Sequence, residues 1–243
     1  MNIQRLPWDT DFFGINIGKV VIYENVDFDP IRLLQQANDE KYELVYVFKY
    51  QKMLNYDKVI KANLDLIDIQ LTMSKKFFSA DYIKLPYTFK TELTIKERNE
   101  CYKIAEKTSI VSRFYNEEKI GPQKTNQLYR KWIDNALNKS FSDGLFLVKK
   151  SCNISGIHLI KTDIPNKTGY FTLTGVDSEY KRMGFGKELW LQSLAYWANE
   201  SEIDQIKSTL SIQNAESLNF HMKMGFNKIE EIKYIYHFRN KIK

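Results

Sequence analysis

The apolar, alternating stretch from Tyr170 to Val176 (YFTLTGV) runs into DSEYKRMGFG and then into a helical pattern from Phe185 to Asn199. A strand that passes directly to a long helix through two glycines one residue apart leaves few choices of fold. The turn must expose its backbone. A helix N-terminus presents unpaired N–H groups and roughly half a positive charge, so a preceding turn without side chains suits a phosphate. Gly184 and Gly186 free the backbone to curl, and Lys181, Arg182 and Lys187 add positive charge. Standing alone, a Gly-x-Gly reads more readily as an ordinary strand-to-helix turn. A dinucleotide fingerprint would need a third glycine where Leu189 stands, and a P-loop would need a Gly-Lys-Ser/Thr that is absent.

The neighbouring elements place this turn in a mixed α/β fold with a central sheet. Upstream, Glu97 to Thr108 and Gln123 to Asn138 have helical spacing, and Gly144 to Lys150 and Ile154 to Lys161 form two strands around the turn Ser151-Cys152-Asn153. Downstream come a strand from Ile206 to Ile212, a helix from Ala215 to Met224 and two closing strands. Nearer the N-terminus, Ile17 to Tyr23, Glu43 to Phe48 and Leu64 to Met73 read as strands, with Asp29-Pro30 opening a helix between the first two. A weakly periodic stretch from Ser79 puts a soft boundary near Leu93. The expectation is a small α/β domain over residues 1–93 and a second domain over 94–243.

Composition narrows the partners. The 36 basic and 30 acidic residues give a net charge of +6, which favours an anionic ligand, but no basic run marks a nucleic-acid arm. No nucleic-acid partner is expected. The two cysteines, Cys101 and Cys152, show no metal-ligand spacing, so no metal is expected and both are taken as reduced thiols of a cytoplasmic protein. No apolar run approaches the about 18 residues of a membrane span, and the N-terminus lacks the apolar core of a signal peptide, so no membrane partner is expected.

Two motifs together carry a resemblance. Lys181-Arg182-Met183-Gly184-Phe185-Gly186 is similar to the Arg/Gln-x-x-Gly-x-Gly/Ala signature of the GCN5-related N-acetyltransferase (GNAT) superfamily, with Lys in the first position. NAESLNFHMKMGF, Asn214 to Phe226, resembles that superfamily's later Asn-x-x-Ala-x-x-Leu-Tyr-x-x-x-Gly-Phe, with Ser217 for Ala, Phe220 for Leu and His221 for Tyr. The resemblance implies acetyl-CoA as donor, its pyrophosphate on the N–H groups of Arg182 to Lys187 and its pantetheine arm along Leu173, Thr174, Gly175 and Val176. There the strand is expected to splay, at a bulge that Gly175 would tolerate. Asn214 joins the cofactor-binding set, and His221 takes the place of the tyrosine that protonates the departing thiolate.

Two further segments, LPWDTDFFGINIGKV and SRFYNEEKIGPQKTNQLYRKWIDNAL, resemble a branch that acetylates nucleotide-linked amino sugars, like the thymidine-diphosphate-fucosamine acetyltransferase. That likeness implies a sugar-nucleotide acceptor, with Arg113 on its diphosphate and Phe114 or Tyr115 stacked on its base or sugar. Trp8, Phe12 and Phe13 read as core aromatics. A protein or peptide amine, or an acyl-CoA sensor without turnover, remain alternatives, and the oligomeric state, a homodimer included, stays open.

Overall fold

The computed structural model describes residues 2–24, 26–140 and 142–240. Its elements in chain order are β1 (Gln4–Arg5), α1 (Pro7–Phe13), β2 (Ile17–Ile22), α2 (Pro30–Asp39), β3 (Leu44–Tyr50), α3 (Tyr56–Lys61), β4 (Leu64–Lys76), β5 (Phe89–Lys90), α4 (Ile95–Ser109), α5 (Gly121–Leu137), β6 (Gly144–Lys150), β7 (Asn153–Asp163), β8 (Thr168–Val176), α6 (Phe185–Glu200), β9 (Gln205–Ser211), α7 (Ala215–Lys223) and β10 (Lys228–Arg239). Among the described residues the ten strands join in one sheet, ordered β1-β2-β3-β10-β4-β9-β8-β7-β6-β5. The pairs β2–β3 and β8–β9 are parallel, and the others are antiparallel.

Local chemistry explains the boundaries. Thr94 and Glu97 form a reciprocal capping box at the start of α4. The Asp29 side chain accepts the N–H groups of Ile31 and Arg32, and Pro30 occupies the first turn of α2. Helices α1 and α3, absent from the sequence reading, are each under two turns and show little periodicity. Pro7 starts α1 and Gly14, at φ 69°, ends it, while Asn55 caps α3.

Alternation along the strands sorts the side chains into layers. On β3, Leu44 and Tyr46 face a core shared with α1, α4 and α5, while Val45 and Val47 face α2 and α3. On β6, Leu145 and Leu147 belong to that shared core, and Phe146 and Val148 pack under α6 and α7. The sheet continues past the expected boundary at Leu93: β4 lies between β10 and β9, and Phe13, Leu44 and Tyr46 share a core with Ile104 and Leu128.

Three expectations need correcting. The C-terminal segment is one strand, because β10 pairs with β4 from Lys228 to Phe238, absorbing the mismatch in two register shifts without a turn residue, and with β3 from Lys233 to Arg239. Trp8 is 48% exposed and stacks on Phe12 at 4.9 Å, because five helical residues turn it about 140° away from buried Phe13. Gly175 carries no bulge. The extra residue on β8 is Thr172, between the pairs Leu159↔Leu173 and Ile160↔Phe171. A Cβ at Gly175 would stand 2.6 Å from Thr108 Oγ1 and 2.9 Å from Ile104 Cγ2, so this glycine lets α4 approach the sheet. Gly175→Ala is therefore expected to destabilise the fold by about 1–3 kcal/mol of overpacking; urea denaturation showing parental stability would refute this.

Candidate active site

The strand-to-helix turn is built as an exposed backbone surface. The Asp177 side chain accepts from Glu179 N at 3.1 Å and from Lys107 Nζ, which anchors the start of the loop. Arg182 then adopts φ 63° and Gly184 φ 90°, both in the left-handed region. Helix α6 begins at Phe185 with no side-chain cap among the described residues, so the N–H groups of its first turn point outward unpaired. A Cβ at Gly184 would meet no heavy atom within 4 Å, and one at Gly186 would meet only Phe220 at 3.5 Å and Val176 at 3.8 Å. The left-handed conformation accounts for Gly184. Nothing in the surrounding protein requires a glycine at 186. Arg182, Met183 and Lys187 are exposed, and Lys181 pairs with Glu216 at 2.9 Å.

Strands β8 and β9 diverge directly ahead of this turn. Their parallel pairing ends at Phe171↔Ser208, while β8 stays on β7 as far as Val176↔Gly156 and β9 stays on β4 as far as Gln70↔Ser211. The backbone of Leu173 to Val176 therefore has no ladder partner on the β9 side. Thr174 is tied inward, its Oγ1 accepting from Trp190 Nε1 at 3.0 Å and lying 2.8 Å from His158 Nδ1. The expected fork is thus present and begins earlier than Thr174, at the Thr172 bulge.

His221 lies under the base of that fork. It is 5% exposed, its Nδ1 is 2.7 Å from the Ser217 carbonyl and its Nε2 is 2.8 Å from Ser208 Oγ. A carbonyl only accepts, so Nδ1 carries the proton and neutral Nε2 receives the Ser208 hydroxyl. Burial lowers the pKa of His221 and favours this neutral form, although the Ser217 bond opposes the shift. In that neutral form Nε2 carries no proton, and both ring nitrogens are engaged within the protein, so the geometry does not support the general-acid role expected for His221. Asn214 caps α7, its Oδ1 accepting from Ser217 N at 3.0 Å.

Beside the open end of the fork, β4, β9, β10 and the α4–α5 loop enclose a cleft of about 400 Å³, lined among others by Asp68, Ser112, Arg113, Glu117, Ser211 and Asn214. Arg113 spreads over three rings, with Cζ 4.4 Å from the Phe114 centroid, 5.0 Å from Tyr46 and 5.4 Å from Phe48. Its Nε is buried without a hydrogen-bond partner, as is the Tyr46 hydroxyl. Burial lowers the Arg113 pKa, while Tyr46, Asp9 and Asp68 act in the opposite sense. Phe114 is a core residue, packed on Phe13 and Tyr46 with Arg113 over its face, so stacking on a ligand is closed to it. Tyr115 does not line the cleft.

Sequence reasoning missed Asp68 and the Glu117–His237–Arg239 cluster, of which Glu117 and Arg239 line the cleft. Glu117 accepts from His237 Nδ1 at 2.5 Å and from Arg239 Nε and Nη2 at 2.8 and 2.9 Å. Burial would raise its pKa, but these bonds outweigh it and hold the carboxyl at about 2. No local motif marks these residues, since 120 or more positions separate the partners. Among the described residues no group of three or more His, Cys, Asp or Glu side chains is placed to hold a metal ion, and no helix is long and apolar enough to cross a membrane.

Solved structures share this architecture at low identity. A functionally unknown conserved protein from Staphylococcus epidermidis aligns over 99% of this chain and 92% of its own with a TM-score of 0.65 and 11% identity. A GCN5-related N-acetyltransferase from Kribbella flavida aligns over 91% and 80% at 0.52 and 8% identity. A tandem GNAT protein from the clavulanic acid biosynthesis pathway aligns over 86% and 68% at 0.51 and 10%. Curated proteins yield no match. The model of the acetyltransferase (GNAT) family matches residues 100–226, which takes in the cradle, the forked strands and α7. Since that match spans more than half of the 243 residues, the chain belongs to the GNAT acetyltransferase family and is an acetyl-CoA-dependent N-acetyltransferase.

Proposed function

We propose that the chain acetylates the primary amine of a small anionic molecule seated in the Arg113 cleft, and that this acceptor is a nucleotide-linked amino sugar. The observation that carries the reading is the divergence of β8 from β9 immediately ahead of the uncapped start of α6. In this reading the N–H groups of Arg182 to Lys187 hold the pyrophosphate of acetyl-CoA, and Gly184 and Gly186 admit it. Leu173 to Val176 offer free backbone groups to the pantetheine arm. Bound acetyl-CoA supplies an activated thioester carbonyl, and the protein contributes chiefly by holding the amine in line with it. The buried, partnerless Nε of Arg113 supports an anionic acceptor, a diphosphate being the group that the second sequence resemblance suggests.

The test is thiol release from acetyl-CoA against nucleotide amino sugars, aminoglycosides and peptides. Turnover is expected with a sugar nucleotide, and Arg113→Ala is expected to raise its KM far more than that for acetyl-CoA. Turnover confined to peptides would replace the acceptor, and acetyl-CoA binding without turnover on any amine would make the chain a sensor.

His221 serves in this reading as a tie between α7 and β9. His221→Phe leaves Ser208 Oγ and the Ser217 carbonyl without their partner and is expected to cost about 1–3 kcal/mol of stability. The pH–rate profile of the folded variant should match that of the parent. An extended alkaline limb with a tenfold or greater fall in kcat, consistent with about 10²–10⁴-fold for a proton-transfer group, would restore the general-acid role.

A further inference from the structure

We propose that the cleft is bipolar and takes an acceptor whose amine and an oxyanion belong to one small molecule, Asp68 receiving the ammonium and Arg113 the oxyanion. This rests on the acetyl-transfer reading and adds the chemistry of the acceptor. Asp68 is 6% exposed, and its carboxylate accepts from neutral groups, Ser211 Oγ at 2.5 Å and Gln70 Nε2 at 3.0 Å. No Lys, Arg or His among the described residues makes an ion pair with it. Arg113 is the converse, a cation held by aromatic faces with a buried, partnerless Nε and the partnerless Tyr46 hydroxyl beside it.

Buried charge is costly unless it is paired, and of the four charged residues lining the cleft Glu117 and Arg239 bond each other, whereas Asp68 and Arg113 form no bond with one another. They are near enough for Asp68 to act on Arg113 electrostatically. Asp9 and Lys233 also act on Arg113, Lys233 acts on Asp68 as well, and neither makes an ion pair with Arg113 or Asp68. The second carboxylate of the lining, Glu117, is already occupied by His237 and Arg239. A ligand carrying both an ammonium and an oxyanion satisfies Asp68 and Arg113 together, whereas a neutral amine leaves Arg113 unpaired.

The same placement makes Asp68 the catalytic residue that accepts the amine's proton. The ammonium gives one proton to Asp68 and the freed lone pair forms the C–N bond at the thioester carbonyl. The C–S bond then breaks with its electron pair on sulfur, and the nitrogen's second proton neutralises the thiolate. Asp68 returns its proton to solvent.

The experiment is an NMR-detected titration with 2-aminoethyl phosphate and with β-alanine, each beside its separate halves: ethyl phosphate and ethylamine, propionate and propylamine. At least one bipolar probe is expected to bind about tenfold tighter than either of its halves, and the tighter of the two identifies the oxyanion as phosphate or carboxylate. Asp68→Asn should remove the gain over the anion alone, and Arg113→Gln the gain over the amine alone. Acetyl-CoA affinity, measured on the same samples, should stay at the parental value and so report intact folding. Halves that bind as tightly as the bipolar probes, an advantage that survives in both variants, or no binding of either bipolar probe would overturn the proposal. Loss of acetyl-CoA binding by the parent protein would instead strike the acetyl-transfer reading.

Discussion

Gly184→Val is expected to reduce acetyl-CoA affinity by about 100-fold or more, the loss of one or two charge-assisted hydrogen bonds at about 1.5–3 kcal/mol each. Gly184 sits at φ 90°, where a β-branched residue is strained by about 1–3 kcal/mol, so the loop would shift as well as gain a side chain. Gly186→Val separates these effects. Gly186 is not at positive φ, and its nearest neighbour to a Cβ is 3.5 Å away, so valine there should leave stability near the parental value and still occlude the cradle. Calorimetric titration of both variants with acetyl-CoA decides the matter. If only Gly184→Val binds weakly, loop strain is the cause, and parental affinity in both would remove the pyrophosphate from this site.

Arg239→Met should be the most destabilising single change in the wall of the cleft, at about 3–5 kcal/mol, because it strips a buried carboxylate of its charged partner. Glu117 is fully buried, and Arg239 contributes two of its hydrogen bonds while also pairing with Asp65. His237, kept neutral chiefly by burial, can still donate from Nδ1 but cannot balance the charge.

The pH dependence follows with a definite sign. Glu117 is held at about 2, below its ordinary value, so its stabilising contribution is complete above about pH 4.5 and is lost as pH falls toward 2. In the variant, burial dominates and Glu117 takes up its proton at higher pH. The stability difference between parent and variant must therefore shrink on acidification. Urea denaturation at neutral pH and near pH 4 measures it, and a difference under about 1 kcal/mol at neutral pH, or one that grows in acid, would contradict the assignment.

What the chain reveals by itself is local. The glycines at 184 and 186, the strand before them and the Asn214-to-Phe226 helix are contiguous, so period and turn chemistry expose them without any knowledge of the fold. The strands β6 to β9 and helices α4 to α7 are legible for the same reason, the strands as short apolar or alternating runs bounded by turn residues and the helices as longer segments with helical spacing. Short α1 and α3 escape because fewer than two turns carry little periodic signal.

What tertiary structure alone decides is long-range. The order β10-β4-β9 brings residues near 68, 211 and 239 to one cleft, and no spacing along the chain encodes that meeting. Glu117 finds His237 and Arg239 across 120 and 122 positions. Packing also reassigns residues whose type misled: Gly175 answers to Thr108 and Ile104 of α4, Phe114 to the core beneath Arg113, and His221 to Ser208 and Ser217. A residue's type limits the bonds and contacts it can make, and only the neighbours that the fold brings to it determine which of them it makes.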